Sequence, residues 1–172
     1  MKFAFMLLGV LILSGCAALP DDLSVPKGET LLPFAETSET EAMHQVALWG
    51  GEIVSVTNLA HGSRLEVVQF SLSGNGRPVK SDSSEGRFHI EVSDFIDPAI
   101  YAPGRQVTAL GAFSRMQDGV VGQHPYTFPV LKAEQVHLWP EIQQVRERCD
   151  CDPFFYSPFM MRPIIVVPNK TE

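Results

Sequence analysis

Three cysteines are the residues of this 172-residue chain whose type and setting invite chemistry. The first ends the run Leu13-Ser14-Gly15-Cys16, a leucine and two small residues before a cysteine, which is the form of a bacterial lipobox. That spacing suits a two-step modification. The Cys16 thiol takes a diacylglycerol, the small residues admit a peptidase to the preceding bond, and the freed amine is acylated. The other two, Cys149 and Cys151, flank Asp150 and leave three readings open: a disulfide, local or between chains, two thiolates on a soft metal, or two unpaired thiols. Cysteines two apart face opposite ways on a strand, so a local bridge needs an unusual turn. A metal would want two further ligands that a C-x-C pair cannot itself recruit. An oxidising periplasm favours the disulfide.

The remaining chemistry-bearing residues form no pattern. His44, His61, His89, His124 and His137 are scattered without ligand spacing, His61 and His124 in expected loops and His89 on an expected solvent face. Signatures for phosphate binding, a nucleophile elbow or a zinc protease are missing from the sequence. The expected catalytic and metal-site residues are therefore none, and the chain is read as a non-enzyme.

Around Cys16 the elements agree with the lipobox. Residues 3–13 are an apolar run broken by Gly9, with Lys2 before it. A helix crossing a bilayer needs about 20 apolar residues, whereas this run has the length of a signal-peptide core. Residues 1–15 are thus expected to be a removable signal. The covalent diacylglycerol and N-acyl chains at Cys16 would satisfy the need of a stable anchor for more than one lipid chain, and no other cofactor is expected. Ala17 follows, not the aspartate that commonly retains lipoproteins at the inner membrane, so the outer membrane of a Gram-negative cell is the expected address.

Lys2 leaves with the signal, so the 13 basic residues become 12 against 20 acidic, a formal charge of −8. Such a face repels polyanions, and nucleic acid is not an expected partner. Residues 16–43, interrupted by Pro20, Pro26 and Pro33 and carrying the acidic stretch 36–41, read as a flexible tether spanning about 30 Å as a coil. Its Leu31, Leu32 and Phe34 are candidates to lie against the domain.

Residues 44–139 carry short strands punctuated by turns. Val46, Leu48, Val54 and Val56 are expected on one face of a first strand, with Gly50-Gly51 marking a bulge or barrel corner. The second strand changes parity between Val67 and Val68, which predicts a bulge there. A third strand points Phe88, Ile90 and Val92 inward. Asp97-Pro98 reads as the cap and first position of a short helix, stapled by Ile96 and Tyr101. Val107, Ala109, Gly111 and Phe113 line a fourth strand, and Pro125 and Pro129 make the fifth an edge or interrupted strand. Three strands, a helix and two strands is the order of a small OB-like Greek-key barrel, mainly β, with the helix between strands 3 and 4. An open antiparallel sheet is the alternative. Residues 140–172 are read as a short C-terminal helix and a tail rich in proline and aromatics, packed on the barrel or on a partner.

The lipobox together with WGGEIVSVTN (49–58), GRF (86–88), DPAIYAPGRQVTALG (97–111), YTFPV (126–130) and HLW (137–139) resembles the Slp family, starvation-inducible outer-membrane lipoproteins of Gram-negative bacteria. The resemblance implies a lipid-anchored, periplasm-facing protein expressed in starvation or stationary phase, with a part in envelope protection under acid or metabolite stress. It implies no enzyme activity, and Cys16 as the lipidated residue. The expected mechanism is binding of an envelope protein or lipid partner. A periplasmic carrier of a small ligand or metal, using the barrel mouth, is the alternative.

Overall fold

A computed structural model describes residues 18–25, 28–37 and 42–142. Five strands, β1 (Val46–Asn58), β2 (Ser63–Phe70), β3 (Arg87–Val92), β4 (Gln106–Val121) and β5 (His124–Leu138), close in the order β1-β2-β3-β5-β4. All neighbouring pairs are antiparallel except β3 and β5, which run parallel. This is the OB-type barrel expected from the element order, and closure leaves no open sheet.

Closure depends on β1, whose residues 50–52 pair with β2 and β4 at once. Gly51 makes this possible: a Cβ there would lie 1.8 Å from the Val68 carbonyl oxygen. The glycine pair thus marks the corner but carries no bulge. The register shift falls between Ile53 and Ser55 in β1, and β2 pairs without interruption. The bulge expected in β2 is therefore corrected to β1.

The residues of the other parity, Phe70 and Leu72, line a hollow beside the N-terminal stretch together with Leu31 and Leu48. Leu65 and Val67 point into the barrel core with Phe88, Ile90, Val107 and Phe113. Leu72, past the end of β2, bridges to Pro78. On β1 the inward residues are Ala47, Trp49 and Ile53, while Val46 and Leu48 face the outer layer around Leu23, Leu110 and Trp139. The expected shared face of Val46, Leu48, Val54 and Val56 is corrected accordingly: the bulge between Ile53 and Ser55 separates Val46 and Leu48 in the outer layer from Val56, which packs on the core.

That outer layer is built by the N-terminal stretch. Leu23, in the 3-10 turn Asp21–Leu23, is fully buried, and Asp22 meets the His137 Nδ1 at 2.8 Å. Further on, the Leu32 N–H donates to the Val46 carbonyl (2.8 Å), and the Trp49 Nε1–H donates to the Leu32 carbonyl (2.9 Å). Phe34 packs edge-on against Trp49 and Phe88. The described part of the tether is thus a strap pinned to the barrel, because its apolar residues find a groove of matching character. Its flexible 30 Å reach is corrected.

The expected short helix is a single turn. The Asp97 carboxylate accepts from the Ala99 N–H (2.9 Å), as a cap would, and the Asp97 carbonyl accepts from the Ile100 and Tyr101 N–H groups. Pro103-Gly104 then stops propagation, while Ile96 and Tyr101 still pack on the core. The C-terminal helix and tail lie outside the described residues.

Two substitutions test this architecture. Gly51→Ala should lower stability by roughly 1–3 kcal/mol or more through overpacking against β2. Leu23→Ala should lower it by about 2–5 kcal/mol, a loss that a free tether would not produce. Urea unfolding midpoints measure both.

Candidate functional site

Alternation along β2 and β3 turns Arg64 and Glu66, then Arg87, His89 and Glu91, to the outside of the barrel. Antiparallel register sets Arg64 opposite Glu91 and Glu66 opposite His89. Glu91 accepts from the Arg64 Nη2 (2.7 Å) and from both terminal nitrogens of Arg115 (2.7 and 3.1 Å), while the Arg87 Nη1 donates to Glu66 (2.6 Å). The Arg115 hydrogen bonds, reinforced by Arg64, hold the Glu91 carboxyl below its usual range, and Glu91 in turn raises the Arg115 guanidinium.

Beside this network the His89 ring stacks on Phe128, with centroids 4.2 Å apart and planes 10° apart. Tyr126 meets Phe128 edge-on, and its hydroxyl accepts from the Arg87 N–H (2.8 Å). His89 is thus buried rather than solvent-facing, which corrects the sequence reading. The cause is β5, which folds its first half over β3. Burial pushes the His89 ring below its ordinary value of 6.5, with Arg64 adding to the shift.

Arginines beside stacked rings on the β2–β3 face of an OB barrel would suit an oligonucleotide or oligosaccharide. Here the rings cover one another and Glu91 engages two arginines, so the face is closed by its own side chains. Among the described residues no group of three or more His, Cys, Asp or Glu could hold a metal ion.

Two other features remain open. An apolar groove of about 390 Å³ lies outside the barrel, between the strap residues 31–35, β1 residues 48–50 and residues 69–72. The barrel interior itself is filled by Leu65, Val67, Phe88, Ile90 and Val107. Next to it in interest is the arm in which residues 115–121 of β4 pair only with residues 124–130 of β5. Pro125 and Pro129 deny N–H groups to β5 there. Past Phe113, the other edge of β4 has no partner strand among the described residues, and Met116 and Val120 are exposed.

The cysteines expected to carry chemistry, Cys16, Cys149 and Cys151, lie outside the described residues. His61 is exposed in a loop, as expected, whereas His124 is exposed but begins β5, paired with Val121, which corrects its expected loop; His44 is exposed before β1. Sequence alternation in the third strand, with Phe88, Ile90 and Val92 inward, turns Glu91 outward with His89. It carried no sign that Arg115 and Phe128 join them, because those contacts depend on the arm's length.

A small OB-like barrel wrapped by its own N-terminal strap is the class that fold and surface define. The chain belongs to the outer membrane lipoprotein Slp family, whose description matches residues 13–165. It is accordingly a lipoprotein of the outer membrane. Over 150 residues it is 33% identical to the lipoprotein YeaY of Escherichia coli (strain K12), covering 86% of this chain and 77% of that one. It is also 23% identical to the outer membrane protein Slp of the same strain, over 94% of this chain and 87% of that one. A small single-stranded DNA-binding protein from Streptomyces coelicolor is similar at 15% identity, over 55% of this chain and 94% of that one, with a TM-score of 0.34. That likeness is too slight to bear on ligand.

The site's charges predict how stability follows pH. An unfolded His89 takes up a proton below 6.5 that the folded ring resists, so this residue lowers stability as pH falls below 6.5 and its effect ends below the folded value. His89→Phe keeps the stack and should flatten that part of the urea stability–pH curve. For Glu91 the stabilisation is complete above 4.5 and is lost as pH falls through its lower folded value. The gap between wild type and Glu91→Gln should therefore be widest above 4.5 and close below it.

Proposed function

We propose that this lipoprotein is a non-enzymatic envelope protein, lipidated at Cys16 after removal of residues 1–15 and facing the periplasm. It protects the envelope in starvation, stationary phase or acid by binding an envelope partner. The observation that carries the reading is the asymmetric arm. One edge is blocked by Pro125 and Pro129, while the other offers seven or so residues of unpaired strand with Met116 and Val120 exposed beside it. Unpaired strand edges recruit extended partner segments by main-chain hydrogen bonding. The family supports the outer-membrane address, and the closed β2–β3 face supports a role other than ligand turnover.

A photocrosslinking residue placed at Met116 in the cell should trap one discrete envelope partner, and Val120→Lys should weaken that adduct. The same probe at exposed Lys80 serves as control. Equal adducts from both positions would remove the arm from the account. Deleting the gene should sensitise stationary-phase cells to acid. Wild type should restore survival, whereas Cys16→Ala, which gains no acyl mass and leaves the membrane fraction, should not. Full rescue by Cys16→Ala would separate protection from anchoring.

A further inference from the structure

The apolar groove beside the strap is linked, contact by contact, to Leu19, three residues along the chain from the expected point of lipid attachment. Gly50 lines the groove, and an added Cβ there would meet Leu72 Cδ2 and Thr108 Oγ1 at 2.8 and 2.7 Å. The Thr108 hydroxyl donates to the Gly76 carbonyl at 2.8 Å. Gly76 lies against Leu19, since a Cβ on it would come within 2.5 Å of Leu19 Cδ2. From Leu19 back to Cys16 is three residues, at most about 11 Å of fully extended chain.

The strap cannot lengthen this leash without unfolding. Leu23 is fully buried, its N–H donates to the Pro20 carbonyl (2.9 Å), and Asp22 pairs with His137. An acylated cysteine sits at the level of the lipid head groups, so this flank of the barrel is held at the bilayer surface. The groove is lined by Leu31, Phe34, Leu48, Phe70 and Leu72, with Trp49 also in its wall, and Leu31 and Leu48 pack against the Leu23 cluster, which ties the groove to this flank. Its wall also includes Gln69, whose Oε1 accepts from the Glu85 N–H (3.3 Å).

We infer that this groove takes an acyl chain of a phospholipid from the bilayer on which the barrel rests. The inference builds on lipidation of Cys16. An apolar hollow in water gains by covering its walls with hydrocarbon, and the bilayer is the hydrocarbon within reach. The protein's own chains are held in the membrane by the anchor's need for more than one, whereas a neighbouring phospholipid is free to lend one tail. The barrel thereby grips the leaflet at a second point, and its orientation on the surface is set by the groove as well as by the leash.

Trp49 reports on this directly, because the chain has two tryptophans and Trp139→Phe leaves Trp49 alone. The full-length lipidated protein, its acyl mass verified, is reconstituted into phosphatidylethanolamine–phosphatidylglycerol vesicles whose tails carry bromine. Trp49 emission should lose most of its intensity relative to unbrominated vesicles. Ala35→Glu, at an exposed position in the groove wall, should restore it while leaving vesicle binding and the folded spectrum unchanged. Should Trp139→Phe fail to fold, the difference between wild type and Ala35→Glu carries the same information. A vesicle-bound protein with unquenched Trp49 overturns the groove proposal and leaves the anchor standing. The anchor's own chains carry no bromine, so their occupancy gives that result and counts against the proposal. Equal quenching in Ala35→Glu also overturns it. A chain without acyl mass on Cys16 overturns both readings.

Discussion

The position of Trp49 governs the rest of the molecule. Its ring packs against Phe34, Phe88 and Phe113, with centroids 5.2 to 6.1 Å away, so it joins the strap to the barrel interior. Its indole N–H would be an orphaned buried donor, a cost of about 1–3 kcal/mol, were it not for the Leu32 carbonyl. The barrel therefore needs the strap as much as the strap needs the barrel. With the lipid at Cys16, as proposed, that dependence has a mechanical consequence: from Leu19 onward the distance between lipid and domain is set by folding, not by a length of coil.

The same logic explains the double layering. A five-stranded barrel this small fills its interior with one set of residues, yet Leu110, Trp139, Val46 and Leu48 point outward from β1, β4 and the end of β5. Leu23 and its neighbours cover them, and Trp139 settles its own indole N–H on Thr108, which passes a hydrogen bond to the turn at Gly76. On the opposite kind of surface, the β2–β3 face, charge does the covering. Glu91 between two arginines and His89 beneath Phe128 close the region that other proteins of this architecture leave open for ligands.

The barrel was legible in the sequence because period-2 alternation, the Gly50-Gly51 pair and the proline-marked fifth strand are all local signals. What alternation could not report was the second layer. Val46 and Leu48 are as apolar as Ala47 and Trp49, and only the strap's docking decides which set faces the core. The parity change in β2 reads as a bulge for a related reason: Phe70 and Leu72 face the groove beside the strap, which local alternation does not reveal. Asp97 has the chemistry of a cap and performs it, but a cap followed within seven residues by Pro103 and Gly104 has no room to propagate a helix. The burial of His89 was invisible because it depends on β5 reaching across β3, a contact between residues 39 positions apart. For function, the lipobox was the clearest local signal, while the groove and the arm emerge only when distant segments meet.

The central claim is that the N-terminal strap is part of the folded barrel. Amide hydrogen exchange on the full-length lipidated protein tests it at the Leu32 N–H, which donates to the Val46 carbonyl outside any hairpin. Protection comparable to that of β1 amides, lost only with global unfolding, is the predicted result. Exchange at the rate of an unstructured peptide would contradict the account, since the barrel would then hang on a coil.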